Sequence, residues 1–114
     1  MKNLDGLTMF VSSTADNGVV SGDTRLVFTQ RGTRVAARYS GGPIARGWLV
    51  GQWADDTLHF RYGQREDGCA IHAGHSVCSV QELPDGRLQL VEHFAWSTRP
   101  GSGVNVFEEL PKVI

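Results

Sequence analysis

Residues 33–62, TRVAARYSGGPIARGWLVGQWADDTLHFRY, decide the fold. Val35, Ala37 and Tyr39 alternate with Arg34, Ala36 and Arg38, and Gly41-Gly42-Pro43 breaks the run. Gly47, Leu49, Gly51 and Trp53 then share one side, Asp55-Asp56 turns the chain, and Leu58, Phe60 and Tyr62 alternate with His59 and Arg61. A side-chain period of two with turn-forming residues at each break specifies three consecutive antiparallel strands.

Working outward, Leu4 to Ser12 reads as a first strand with Met9 and Val11, or else Phe10, facing inward. Residues Thr14 to Asp23 collect turn formers, and Asn17-Gly18 favours positive φ. Thr24 to Gln30 is a second strand, turning at Arg31-Gly32. Beyond the central stretch, Gln64 to Gly68 is a loop and Cys69 to Glu82 a sixth strand. Pro84-Asp85-Gly86 turns into a seventh, Arg87 to Thr98, with Leu88, Leu90, Phe94 and Trp96 on one face. Arg99 to Gly103 is the last loop and Val104 to Leu110 the eighth strand. No helical period, linker or internal repeat interrupts this series.

Eight strands that each fold back on the last leave two bare edges unless the first and last pair. Closure removes both edges, so the expectation is all-β: an eight-stranded antiparallel up-and-down, calycin-like β-barrel formed as one domain over residues 1–114. A two-sheet sandwich suits the same strand spacing. A chain of 114 residues supports one core. The net charge of −1 and scattered basic residues give no footprint for nucleic acid or an anionic membrane. Lys2 is followed by Asn3, Leu4 and Asp5, not by an apolar leader core, so a cytoplasmic location is expected. On one strand Cys69 and Cys78 would lie on the order of 30 Å apart, too far for a disulfide, which agrees with a reducing compartment.

Parity through the hairpins assigns the inward face. With Leu26 and Phe28 inside, Phe28 faces Val35 and Leu26 faces Ala37. Val35 then faces Leu49, Ala37 faces Gly47, and Leu49, Gly51 and Trp53 face Tyr62, Phe60 and Leu58. Ala70, His72, Gly74, Ser76, Cys78 and Val80 follow, then Leu88, Leu90, Glu92, Phe94 and Trp96, and last Val104, Val106, Glu108 and Leu110. The interior is apolar with a small polar set of Tyr39, Tyr62, His72, Ser76, Cys78, Glu92 and Glu108. Cys78 falls opposite Glu92, and Glu92 opposite Glu108. Two carboxylates side by side need a shared proton or a cation, unless they sit solvated at the barrel mouth near Arg38 or Arg61.

A concave apolar interior with converging polar groups points to a binding module for an apolar or aromatic small molecule. Its walls are Phe28, Tyr39, Leu49, Trp53, Phe60 and Tyr62 on one side and Phe94 and Trp96 on the other. Glu92 and Glu108 orient the ligand, with His72 and Cys78 in reach. An alternative makes Glu92 and Glu108 an acid–base pair in a small enzyme, although the balance leans against catalysis. A third reading is a non-catalytic interaction protein or homodimer working through an outer face that carries Trp48, Val50, Ile71, Val77, Val91 and Phe107. Cys69, His72, His75 and Cys78 are zinc-type residues, but on a strand this spacing sends neighbours to opposite faces, so neither a metal nor a cofactor is expected. Cys78 and Ser76 lack a base with an orienting partner.

Asn17-Gly18, Tyr39-Ser40-Gly41-Gly42 with Ile44 and Gly47, Leu83-Pro84-Asp85-Gly86-Arg87-Leu88, Glu92 with Trp96, and Glu108-Glu109 together resemble a group of small bacterial proteins of about 110 residues, often labelled N-acetylglutamate synthase. The likeness spans nearly the whole chain and implies the same small fold; Phe94 stands where the group carries tryptophan. Acetyl transfer would need a glycine-rich loop opening a helix to hold the pyrophosphate of acetyl-CoA. The nearest stretch, Arg38 to Pro43, leads into a strand, so the residues speak against that activity.

Overall fold

A computed structural model describes residues 1–68 and 70–111. Eight strands follow one another: β1 (Thr8–Ser13), β2 (Arg25–Arg31), β3 (Arg34–Gly41), β4 (Ile44–Ala54), β5 (Thr57–Glu66), β6 (Ile71–Glu82), β7 (Leu88–Trp96) and β8 (Ser102–Glu109). Each pairs antiparallel with the next, and β8 returns to β1 through Met9–Glu109, Phe10–Glu108 and Val11–Phe107. The barrel is therefore closed, which rules out the open sandwich and leaves no bare sheet edge among the described residues.

Inward faces run unbroken through β2 to β7, and Leu26, Phe28, Val35, Leu49, Leu58 and Leu90 are all buried. The pairing differs from expectation in two hairpins. Arg31 pairs directly with Arg34, so the β2–β3 turn is only Gly32-Thr33, with Gly32 at φ 57°. Phe28 consequently stands opposite Ala37 and Leu26 opposite Tyr39, while Ala37 meets Leu49 and Tyr39 meets Gly47 in the next hairpin. Both shifts are of two residues, which moves partners along a strand without turning side chains over. Leu49–Tyr62, Gly51–Phe60, Trp53–Leu58 and Cys78–Glu92 pair as read from sequence.

The last strand is out of phase with its reading. Phe94 pairs with Gly103 and Glu92 with Asn105, so Asn105 and Phe107 point inward while Val104 is exposed. Glu108 faces outward, pairs with Gln89, and lies 3.7 Å from Arg87. It does not meet Glu92. The cause is a connection one residue different in phase, in which Trp96 N–H donates to Gly101 C=O at 3.0 Å. Phe107, expected on the outer face, is in the core.

The first strand starts later than expected. Gly6, at φ 78°, bends the chain, and Leu4 lies fully buried ahead of the strand. Gly6 N–H donates to Phe28 C=O, and Leu4 N–H to Gln30 Oε1, so residues 4–7 close the barrel end where the β2–β3 and β4–β5 turns lie. Within β1 it is Met9 and Val11 that face inward. Outside, Trp48, Val50, Ile71 and Val77 remain exposed. Cys69 lies outside the described residues, and with it the four-residue Cys/His motif; Cys78 is a buried free thiol.

Candidate functional site

The opposite end of the barrel is closed by the β1–β2 connection. Val19 and Val20 pack onto the core, and Gly18 N–H donates to Ala15 C=O. Three hydrogen bonds tie this segment across the barrel rim. Thr14 Oγ1 donates to Asn105 Oδ1 at 2.7 Å, Asn17 Nδ2 to Ser102 C=O at 2.9 Å, and Trp96 Nε1 to Asn17 C=O at 3.4 Å. The expected positive φ at Asn17-Gly18 is not found. Gly18 is needed for room instead, since a Cβ there would sit 2.6 Å from Thr14 Oγ1. The segment is held by a few polar links rather than by a strand ladder, the kind of element that opens at low free-energy cost.

Beneath it is a small void of about 30 Å³, bordered by Tyr39, Leu49, Tyr62, Phe94, Trp96 and Phe107 with Gln64, Glu92 and Asn105. Two glycines shape these walls. A Cβ at Gly47 would collide with the Tyr39 ring, and one at Gly74 with the Tyr62 hydroxyl and the Ala95 carbonyl. Glycine at these inward positions lets the two phenol rings lie flat against neighbouring backbone. Trp96 makes edge-to-face contacts with Tyr62 and Phe94, at centroid separations of 5.4 and 5.8 Å.

Polar groups form two chains around the void. In the first, Ser76 Oγ donates to Glu92 Oε2 at 2.5 Å and Asn105 Nδ2 donates to Glu92 Oε1 at 2.9 Å. In the second, the Tyr39 hydroxyl donates to Gln64 Oε1 at 2.8 Å, Gln64 Nε2 donates to Glu66 Oε2 at 2.9 Å, and Arg99 pairs with Glu66. The Arg99 guanidinium also lies over Trp96, 4.1 Å from the ring centroid, sealing the rim. Burial pushes the Glu92 carboxyl above its ordinary range, an effect that the Ser76 and Asn105 donors partly oppose. Burial, and then the Glu92 charge, push the hydroxyls of Tyr39 and Tyr62 and the thiol of Cys78 upward. Cys78 is thereby a poor nucleophile.

Of the residues named from sequence, Tyr39, Leu49, Tyr62, Glu92, Phe94 and Trp96 surround the void. Phe28, Trp53, Phe60 and Cys78 are buried in the core but do not border it. Trp53 belongs to the other end, where its Nε1 donates to Gln30 Oε1 at 3.4 Å. His72 sits at the rim, 6.2 Å from the Trp96 ring and bonded to Thr98 Oγ1 at 2.8 Å. Glu108 is on the outside, so the acid–base pair with Glu92 is not formed. Gln64, Asn105, Phe107, Val19 and Val20 went unrecognised. Gln64 prolongs the alternation of Leu58, Phe60 and Tyr62, a signal that was there to be followed.

A wider concavity on the outer face, between Ala36, Val50, Arg61, His75 and Val77, is open to solvent. It is lined largely by residues of the outer face, whereas the interior void brings aromatic walls and a buried carboxyl together.

The sequence matches the family model for avidin-like protein over residues 2–110. Comparison with curated proteins and with solved structures returns no match. With that match and a closed eight-stranded antiparallel barrel, the chain belongs to the avidin-like family.

Proposed function

We propose that the protein binds a small molecule inside the barrel, at the end covered by residues 14–23, and performs no chemistry on it. The observation that carries this reading is the void beside Glu92: a small space, aromatic on its walls and polar at one side, bordered by residues 18–20 of the β1–β2 connection and not by packed strands alone. Membership of the avidin-like family supports small-molecule binding of a biotin-like kind. The bound molecule has an apolar or aromatic body, and its entry displaces Val19 and Val20. Tryptophan fluorescence tests this, because Trp96 borders the void while Trp48 and Trp53 do not. A panel containing biotin and small aromatic compounds is titrated into the native protein and Trp96→Phe. The expected result is quenching that the substitution abolishes, with a melting point raised as about 2.7 kcal/mol of linkage predicts at a hundredfold excess over Kd. An unquenched, thermally unmoved protein across the panel overturns the reading.

The acetyl-transfer label of the similar bacterial proteins has no part in this proposal, since Gly41 and Gly42, at φ 116° and 59°, turn β3 into β4 and open no helix. Self-association is favoured by Trp48, Val50, Ile71 and Val77, which lie half or more exposed or nearly so on the outer sheet face. Sedimentation of the native protein against Val50→Glu tests it; identical monomeric behaviour would dismiss it.

A further inference from the structure

We propose that the interior site is specific for a small organic cation, a protonated amine whose ammonium group pairs with Glu92; this rests on the binding reading above. The hydrogen-bond inventory around the void carries the inference. The Tyr39 hydroxyl is spent on Gln64, the Gln64 amide on Glu66, Ser76 and Asn105 on Glu92, and Thr14 on Asn105. Each of these groups is engaged within the protein, the Gln64 and Asn105 amides each keeping a second N–H, and the Tyr62 hydroxyl reaches only the Ala95 carbonyl at 3.5 Å. The strongest acceptor beside the void is the Glu92 carboxylate, whose two donors leave lone pairs free.

Charge points the same way. Among the described residues no Lys, Arg or His forms an ion pair with Glu92, and Arg99, which lies over Trp96 at the rim, is paired with Glu66. A buried carboxylate without a counter-charge is a costly feature for a fold to keep and a strong attractor for a cation. Aromatic rings of Tyr39, Tyr62, Phe94 and Trp96 border the same space, and their faces attract an ammonium further. The void of about 30 Å³ matches the share of liquid volume taken by one water, and an ammonium head is of that size. The organic body then extends toward residues 18–20, which already border the void.

Three probes of one shape separate the possibilities: benzylamine, benzyl alcohol and benzoate, titrated by calorimetry and tryptophan fluorescence at pH 7.5. Benzylamine is expected to bind at least about tenfold more tightly than benzyl alcohol, benzoate not at all, and Glu92→Gln to erase the amine preference. Should Glu92→Gln not fold, native protein gives the same information: amine affinity must fall as acid protonates Glu92. Equal binding of alcohol and amine, or a preference that survives Glu92→Gln or acidification, overturns the cation assignment and leaves the binding site standing. Failure of all three probes and of the wider panel would overturn both.

Discussion

Replacing Glu92 by glutamine isolates the energetic consequence of a carboxyl buried in the barrel. The amide has the same shape: its oxygen still accepts from Asn105 Nδ2, and its nitrogen donates to Ser76 Oγ in place of the 2.5 Å contact. Only the titration is removed. Burial raises the folded carboxyl above its ordinary value of 4.5, so the folded protein holds a proton that the unfolded chain has released. Stability from this group is therefore complete below pH 4.5 and is lost as pH climbs through the folded value. Within that window the native protein loses at most about 1.4 kcal/mol per pH unit relative to Glu92→Gln. For a domain of this size that is a divergence in melting point of about 5 °C per unit. Thermal melts by circular dichroism from pH 4 to 9 on both proteins are to run together at the acid end, separate on rising pH with the variant the more stable, and become parallel once the carboxyl is fully ionised. Two curves that stay parallel across the whole range would refute the claim that Glu92 is desolvated.

Asn105→Leu removes one of the two donors to Glu92 and leaves Thr14 only its longer bond to the Ala15 carbonyl at 3.4 Å; urea unfolding at pH 7 should show a loss of roughly 1–3 kcal/mol, and a smaller one in the Glu92→Gln background. Gly74→Ala drives a methyl into the Tyr62 hydroxyl, for an expected loss of about 1–3 kcal/mol with altered near-ultraviolet dichroism, whereas Gly63→Ala, which meets no atom within 4 Å, should stay within about 0.5 kcal/mol of the native protein. In a Cys69→Ser background, Cys78 should be silent to a thiol reagent until the protein unfolds, because burial first and Glu92 second hold its proton on; labelling in the native state would contradict its placement.

Where each strand shows two distinguishable faces, the sequence yields the fold. The alternation from Val35 to Tyr62 is unambiguous because arginines and histidines mark the solvent side as firmly as Leu49 and Phe60 mark the core. Pairing along β2, β3 and β4 is two residues from its reading because parity is blind to such shifts, and only the lengths of the turns at Gly32-Thr33 and Gly42-Pro43 fix them. In β8 the hydrophobic signal points the wrong way. Val104 and Val106 are the apolar alternates, yet it is Asn105 that turns inward, since a buried amide is tolerable where Glu92 and Thr14 satisfy it. That compensation is a property of pairs distant in sequence, and no single strand announces it. The same holds for Val19 and Val20, which carry no period at all and acquire their role from the rim they cover.

The seam between β1 and β8 joins residues about as far apart in the chain as the barrel allows, Met9 with Glu109. Until β8 leaves the ribosome, seven strands hang as an unsealed ribbon with β1 offering its unpaired amides to any passing strand. A chain that lacks β8 is thus open to pairing with its neighbours, and formation of the seam with Ser102–Glu109 is what withdraws that edge.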